Sequence, residues 1–96
     1  MNETVIDETS SNVIKISGKT NPKDAAGSLA MVLRDHGWAQ MLAIGAASVN
    51  NSVKAYTIAR GYVVSRGMDI IMTSAFEVTE IEGRETTRMR ITVEPR

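Results

Sequence analysis

Hydrophobic and polar positions change their spacing several times along this chain, and each change marks an element. Val13–Ile16 is a short β-branched run, the composition of a strand. Ser17 to Lys23 is polar, holds Gly18 and Pro22, and reads as a loop. It closes on Asn21, a good N-cap, with Pro22 in the first helical position. From Pro22 to about His36, Ala26, Leu29, Ala30 and Leu33 share one helix face, and Gly37 supplies a left-handed stop. Met41–Gly45 is a short apolar second strand, and a second helix runs from an N-cap at Ser48 to about Val64. After Gly67, the apolar run Met68–Ala75 continues to Ile81 as a third strand, and Glu82-Gly83-Arg84 is turn-like. Thr86–Val93 then sets Thr87, Met89, Ile91 and Val93 against Arg88, Arg90, Thr92 and Glu94, a strand with one buried and one wet face.

The order is βαβαββ. Right-handed crossovers place both helices on one side when the strands are laid down in one direction. The predicted fold is therefore an α/β chain of the α+β two-layer kind: a four-stranded mixed sheet with two helices on one face. Residues 1–12 have only Val5 and Ile6 as branched apolar residues and read as a disordered acidic tail ahead of a single domain at 13–96.

The second helix carries an unusually broad apolar arc. At about 100° per residue, Val49, Val53, Tyr56, Ile58, Tyr62 and Val63, with small residues between them, span more than half its circumference. An arc that wide predicts a second contact surface besides the sheet: the other helix or another subunit. Arg60 falls inside the arc and is either snorkelling at its rim or paired with a carboxylate across an interface. A domain of 96 residues buries only roughly two thirds of its unfolded surface, so association would help it. Val49, Val53, Tyr56 and Arg60 are accordingly the candidate oligomer interface, and a homodimer or larger assembly is expected.

Composition narrows the chemistry. There is no cysteine, so neither a disulfide nor a thiolate metal site can form. No apolar run approaches the ~20 residues of a membrane span, and the polar start does not resemble a signal peptide, so a cytoplasmic protein is expected. His36 is the single histidine and sits at a helix end, where it favours the dipole. The acids are scattered, and no metal-ligand spacing occurs. Gly45-Ala46-Ala47-Ser48 makes a strand-to-helix corner, but with one glycine it is not a dinucleotide fingerprint. Neither enzyme activity, nor a cofactor, nor a metal is expected.

The net charge is zero but uneven. Glu3, Asp7 and Glu8 give residues 1–12 a charge of −3, which leaves 11 bases against 8 acids, or +3, in the rest. Lys19 and Lys23 lie in the loop and start of the first helix, Arg84 at the last turn, and Arg88 and Arg90 on the wet face of the last strand, with Lys15 on the same open sheet face. These bases are either a solvated face balanced by Glu77, Glu80, Glu82 and Glu85 or a surface for backbone phosphates. Four aromatic residues, Trp38, Tyr56, Tyr62 and Phe76, offer no stacking platform for single strands.

From Ile14 to Arg96 the chain resembles the stage V sporulation protein S (SpoVS) family. The resemblance rests on Lys15-Ile16-Ser17 with Lys19, on Pro22, Gly27, Leu29-Ala30 and Leu33-Arg34, and on Ala43-Ile44-Gly45-Ala46. It continues through Asn50, Val53-Lys54-Ala55, Ile58-Ala59-Arg60-Gly61 and Ala75-Phe76 to Val93-Glu94-Pro95-Arg96. The resemblance implies an Alba-like fold and a bacterial regulator of sporulation or development acting on DNA or RNA, with the loop after the first strand and the last hairpin bracketing the nucleic acid. Those places hold Lys19, Lys23 and Arg84. The tail, Trp38 and Arg88 depart from the family pattern. The alternative function is a protein-interaction or assembly module that binds no nucleic acid.

Overall fold

A computed structural model describes residues 10–96. The elements are β1 (Val13–Ile16), α1 (Pro22–His36), β2 (Ala39–Ala43), α2 (Ala46–Val64), β3 (Ile70–Ile81) and β4 (Arg84–Pro95). The sheet order is β1-β2-β4-β3, with β1 parallel to β2 and the other neighbours antiparallel. The predicted βαβαββ order, the mixed sheet and the single helical layer are all present. The crossover through α2 skips one position, which β4 fills on its return.

Local signals account for most boundaries. The Asn21 side chain accepts from the Lys23 and Asp24 amides, and Gly37 ends α1 at φ 87°. Residues 10–12, read from the sequence as part of the tail, are tied to the sheet. The Gln40 amide donates to the Asn12 carbonyl, and Asn12 Nδ2 donates to the Trp38 carbonyl at 2.9 Å. Residues 1–9 of that tail lie outside the described residues.

Several ends differ from the sequence reading. β2 starts at Ala39 rather than Met41 and stops before Gly45. Polar Gln40 belongs to the strand because its side chain bonds Arg90 and Thr92 on the neighbouring strand. Gly45, at φ 91°, turns the chain directly into α2, so Gly45 rather than Ser48 is its N-cap. Ser48 is instead buried one turn in.

The core lies between the helices and one sheet face. Leu29 and Leu33 of α1 meet Met41, Ile91, Val93 and Ile70 of the sheet, together with Ala55, Ala59 and Val63 of α2. The broad arc of α2 is thus explained in part within one chain. Its innermost residues are small (Ser48, Ser52, Ala55, Ala59), which lets α1 and the sheet both approach closely.

Strand lengths do not match. β1 and β2 have 4 and 5 residues, whereas β3 and β4 have 12 each. The last hairpin therefore projects past the two-layer body. Its turn residues Glu82 and Gly83 both have positive φ, 51° and 79°, as in a two-residue type I′ turn.

Candidate nucleic-acid interface and apolar arm

The five candidate basic residues fall into two groups. Arg88 and Arg90 point to the open sheet face and converge on Glu77. Arg88 Nε donates to Glu77 Oε1. Arg90 donates from Nε to Oε2 and from Nη2 to Oε1, both at 2.9 Å, the two-pronged geometry of a strong guanidinium–carboxylate pair. Arg90 Nη1 also donates to Gln40 Oε1 at 2.7 Å, and Gln40 Nε2 donates to Thr92 Oγ1 at 3.2 Å. These contacts are partly shielded from water and hold the Glu77 carboxyl below its usual range, first through the Arg90 hydrogen bond and then through Arg88. Arg90 thereby braces three strands.

Lys19, Lys23 and Arg84 differ. All three are exposed, and among the described residues none forms an ion pair. Lys19 sits on a braced loop. The Ser17 amide donates to Thr20 Oγ1 at 2.8 Å, the Lys19 amide to Ser17 Oγ at 3.1 Å, and Asn51 Nδ2 to the Ser17 and Gly18 carbonyls, each at 3.2 Å. Gly18 lies so near α2 that a Cβ there would stand 3.2 Å from Ala47 Cβ. Lys23 opens α1, and Arg84 opens β4 at the hairpin tip, opposite Ile81. Three fixed backbone elements thus carry unpaired cations.

The four proposed interface residues also divide. Tyr56 is half-buried and its hydroxyl donates to the Ile70 carbonyl at 3.0 Å. Arg60 pairs within its own chain, Nε to Asp69 Oδ1 at 3.1 Å, and Arg96 approaches the same carboxylate at 3.5 Å. The Arg60 hydrogen bond is the main cause of the lowered Asp69 pKa. Val53 is exposed and Val49 half-buried.

Two residues absent from the sequence-based site stand beside them. Phe76 is 76% exposed and Val78 67% exposed, on the helix-side face of the projecting hairpin. Phe76, Met89 and Val49 line a shallow groove of about 220 Å³. The alternation Met72, Ser74, Phe76, Val78 contained the signal, once β1 and β2 were seen to be too short to support a helical cover that far out.

No described helix is long and apolar enough to cross a membrane, and no described cluster of His, Asp or Glu could hold a metal ion. The arrangement defines a class: a two-layer α+β domain with rim cations that have no ion pair among the described residues and an apolar arm beyond its body. A family model, stage V sporulation protein S (SpoVS), matches residues 12–96, and the chain belongs to that family. The family's name ties it to sporulation.

Proposed function

We propose that the protein is a self-associating, cytoplasmic regulator of sporulation or development that binds nucleic acid through its backbone phosphates and catalyses no reaction. The observation that carries this reading is the contrast between the cations. Arg88 and Arg90 are engaged with Glu77, while Lys19, Lys23 and Arg84 are presented to solvent with no carboxylate partner among the described residues. Ammonium and guanidinium groups on braced backbone suit phosphate oxygens and carry little base readout. Three contacts per chain make a weak binder, with Kd on the order of micromolar at physiological salt. A second copy would double the surface.

Self-association is supported by exposed large apolar side chains, Val53 on α2 and Phe76 and Val78 on the arm. The same side chains favour the second reading, an assembly module that captures protein alone. A mobility-shift titration against duplex DNA and RNA at two salt concentrations separates them. Nucleic-acid binding predicts shifts that weaken steeply with salt. Absence of any shift at low salt leaves the assembly module.

A further inference from the structure

β3 forms one edge of the sheet, with β4 as its one neighbour among the described strands. Contacts at its start fix which backbone groups face that neighbour. The Arg96 amide, following β4, donates to the Asp69 carbonyl, whereas the Ile70 carbonyl accepts the Tyr56 hydroxyl of α2. Pro95, which has no N–H, stands opposite Ile70. The two-residue turn gives the same parity at the far end, since it makes Ile81 and Arg84 a hydrogen-bonded pair. Odd-numbered residues of β3 therefore direct their N–H and C=O groups to β4. Met72, Ser74, Phe76, Val78 and Glu80 turn theirs to the free edge.

An open edge of this length is ordinarily guarded by proline, lysine, a bulge or a cover. β3 has no proline and no lysine, and its register against β4 runs unbroken from Ile70 to Ile81. The Glu77 charge is already taken up by Arg88 and Arg90. Among the residues whose backbone faces the edge, Phe76 and Val78 are exposed, on the side that β1 and β2 are too short to help cover.

We infer that this edge pairs with the same edge of a second copy, antiparallel about a two-fold axis at Phe76, so that two four-stranded sheets join into one. The pairing presupposes the self-association proposed above. Its register is constrained. Centred on Phe76, residues 71–81 of both copies pair in full, and Ile70, whose carbonyl Tyr56 occupies, is left out. Centred one residue earlier, the ladder would need that carbonyl. Centred one residue later, it would set Glu77 against its own copy, like charges face to face. In the Phe76 register Phe76 faces its own copy across the axis, Val78 lies opposite the partner's Ser74 and Glu80 opposite the partner's Met72, with no carboxylate facing another. Each arm then lies alongside the partner's body, and the partner's α2 supplies the cover that the arm lacks. Val49, which lines a groove with Phe76, and Val53 one turn further along α2 stand nearest that contact.

The chain has no cysteine, so single substitutions report the register in the full-length protein. In this pairing Ser74 and the partner's Val78 have Cα atoms about 5.5 Å apart, within disulfide reach. Ser74 and the partner's Ser74 are separated by about four residues along the strand, roughly 14 Å. Mild oxidation of an equal mixture of Ser74→Cys and Val78→Cys chains should therefore give a mixed cross-linked dimer, and either variant alone should give little. Wild-type chain should sediment as a dimer. Val78→Pro should be monomeric with its circular dichroism kept, because the N–H it removes is one that β4 does not use. A monomeric wild type overturns the pairing and the self-association reading together. A dimer that survives Val78→Pro, that gives no mixed cross-link, or that links Ser74→Cys chains to one another overturns the pairing alone and assigns association to another face.

Discussion

The helix-side face of β3 and β4 meets two fates along one hairpin. Near the body, Ile70, Ile91 and Val93 are almost wholly buried beneath the helices. A few residues further on, past Ser74 on the same face, Phe76 and Val78 stand in solvent. Side-chain chemistry is the same in both stretches. The difference is set elsewhere, by the brevity of β1 and β2, which leaves nothing for a helix to rest on beyond Ala43. A pattern of alternation tells which face is apolar; the lengths of the other strands decide whether that face is core or contact surface.

This comparison can be broken most forcefully at the body. Leu33→Ala or Ile91→Ala should cost about 2–5 kcal/mol, the usual range for opening a cavity at a fully buried aliphatic residue. Chemical denaturation reads the loss directly. On the arm, Phe76→Ser should leave the unfolding of the isolated chain within about 0.5 kcal/mol, as for other exposed positions. Its effect should appear in sedimentation, as a shift toward monomer. If Phe76→Ser destabilised a monomer as much as Ile91→Ala, the arm would be part of the core and the contrast would be void.

A second, smaller effect belongs to the open face of the sheet. Glu77→Gln leaves two guanidinium groups without their shared carboxylate and should cost about 1–3 kcal/mol at pH 7. Because the folded Glu77 pKa is depressed, its contribution is present above the unfolded value, roughly 4.3, and is lost as pH falls through the folded value. The gap between wild type and Glu77→Gln in urea unfolding should therefore narrow steadily as pH falls below the unfolded value. A gap that did not narrow on acidification would assign the effect to packing.

Smaller again is the brace under Lys19. Asn51→Ala removes two hydrogen bonds to the loop and should cost about 1 kcal/mol while weakening nucleic-acid binding, since Lys19 would lose its fixed position. Unchanged binding would show that the loop needs no brace.

Much of this architecture was legible before the structure. Asn21, Pro22 and Gly37 mark α1 chemically, and the alternation in β4 separates its faces without ambiguity. The state of Arg88 and Arg90 stayed open between balance by Glu77, Glu80, Glu82 or Glu85 and a phosphate surface, because it depends on which residue of β3 lies opposite. The turn held that information: a two-residue turn at Glu82-Gly83 sets Ile81 against Arg84 and, counting back, Glu77 against Arg88. The Arg60–Asp69 pair was missed for another reason. It needs the end of α2 to fold back onto the start of β3, which no local period encodes. Phe76 and Val78 were hidden by the opposite error, since an apolar alternating strand is ordinarily taken as covered.

The central claim is that Lys19, Lys23 and Arg84, and not the engaged Arg88 and Arg90, meet phosphate. Its most direct test is the salt dependence of duplex DNA binding in wild type and in each single glutamine variant, with Lys54→Gln as a comparison. Each of the three should lower the log–log slope by about 0.9 on duplex DNA, or about 0.7 on a single strand, with little dependence on sequence, and should leave circular dichroism unchanged. Lys54→Gln, on the exposed side of α2, should change the slope less. Slopes that remain at the wild-type value in all three variants would contradict the account.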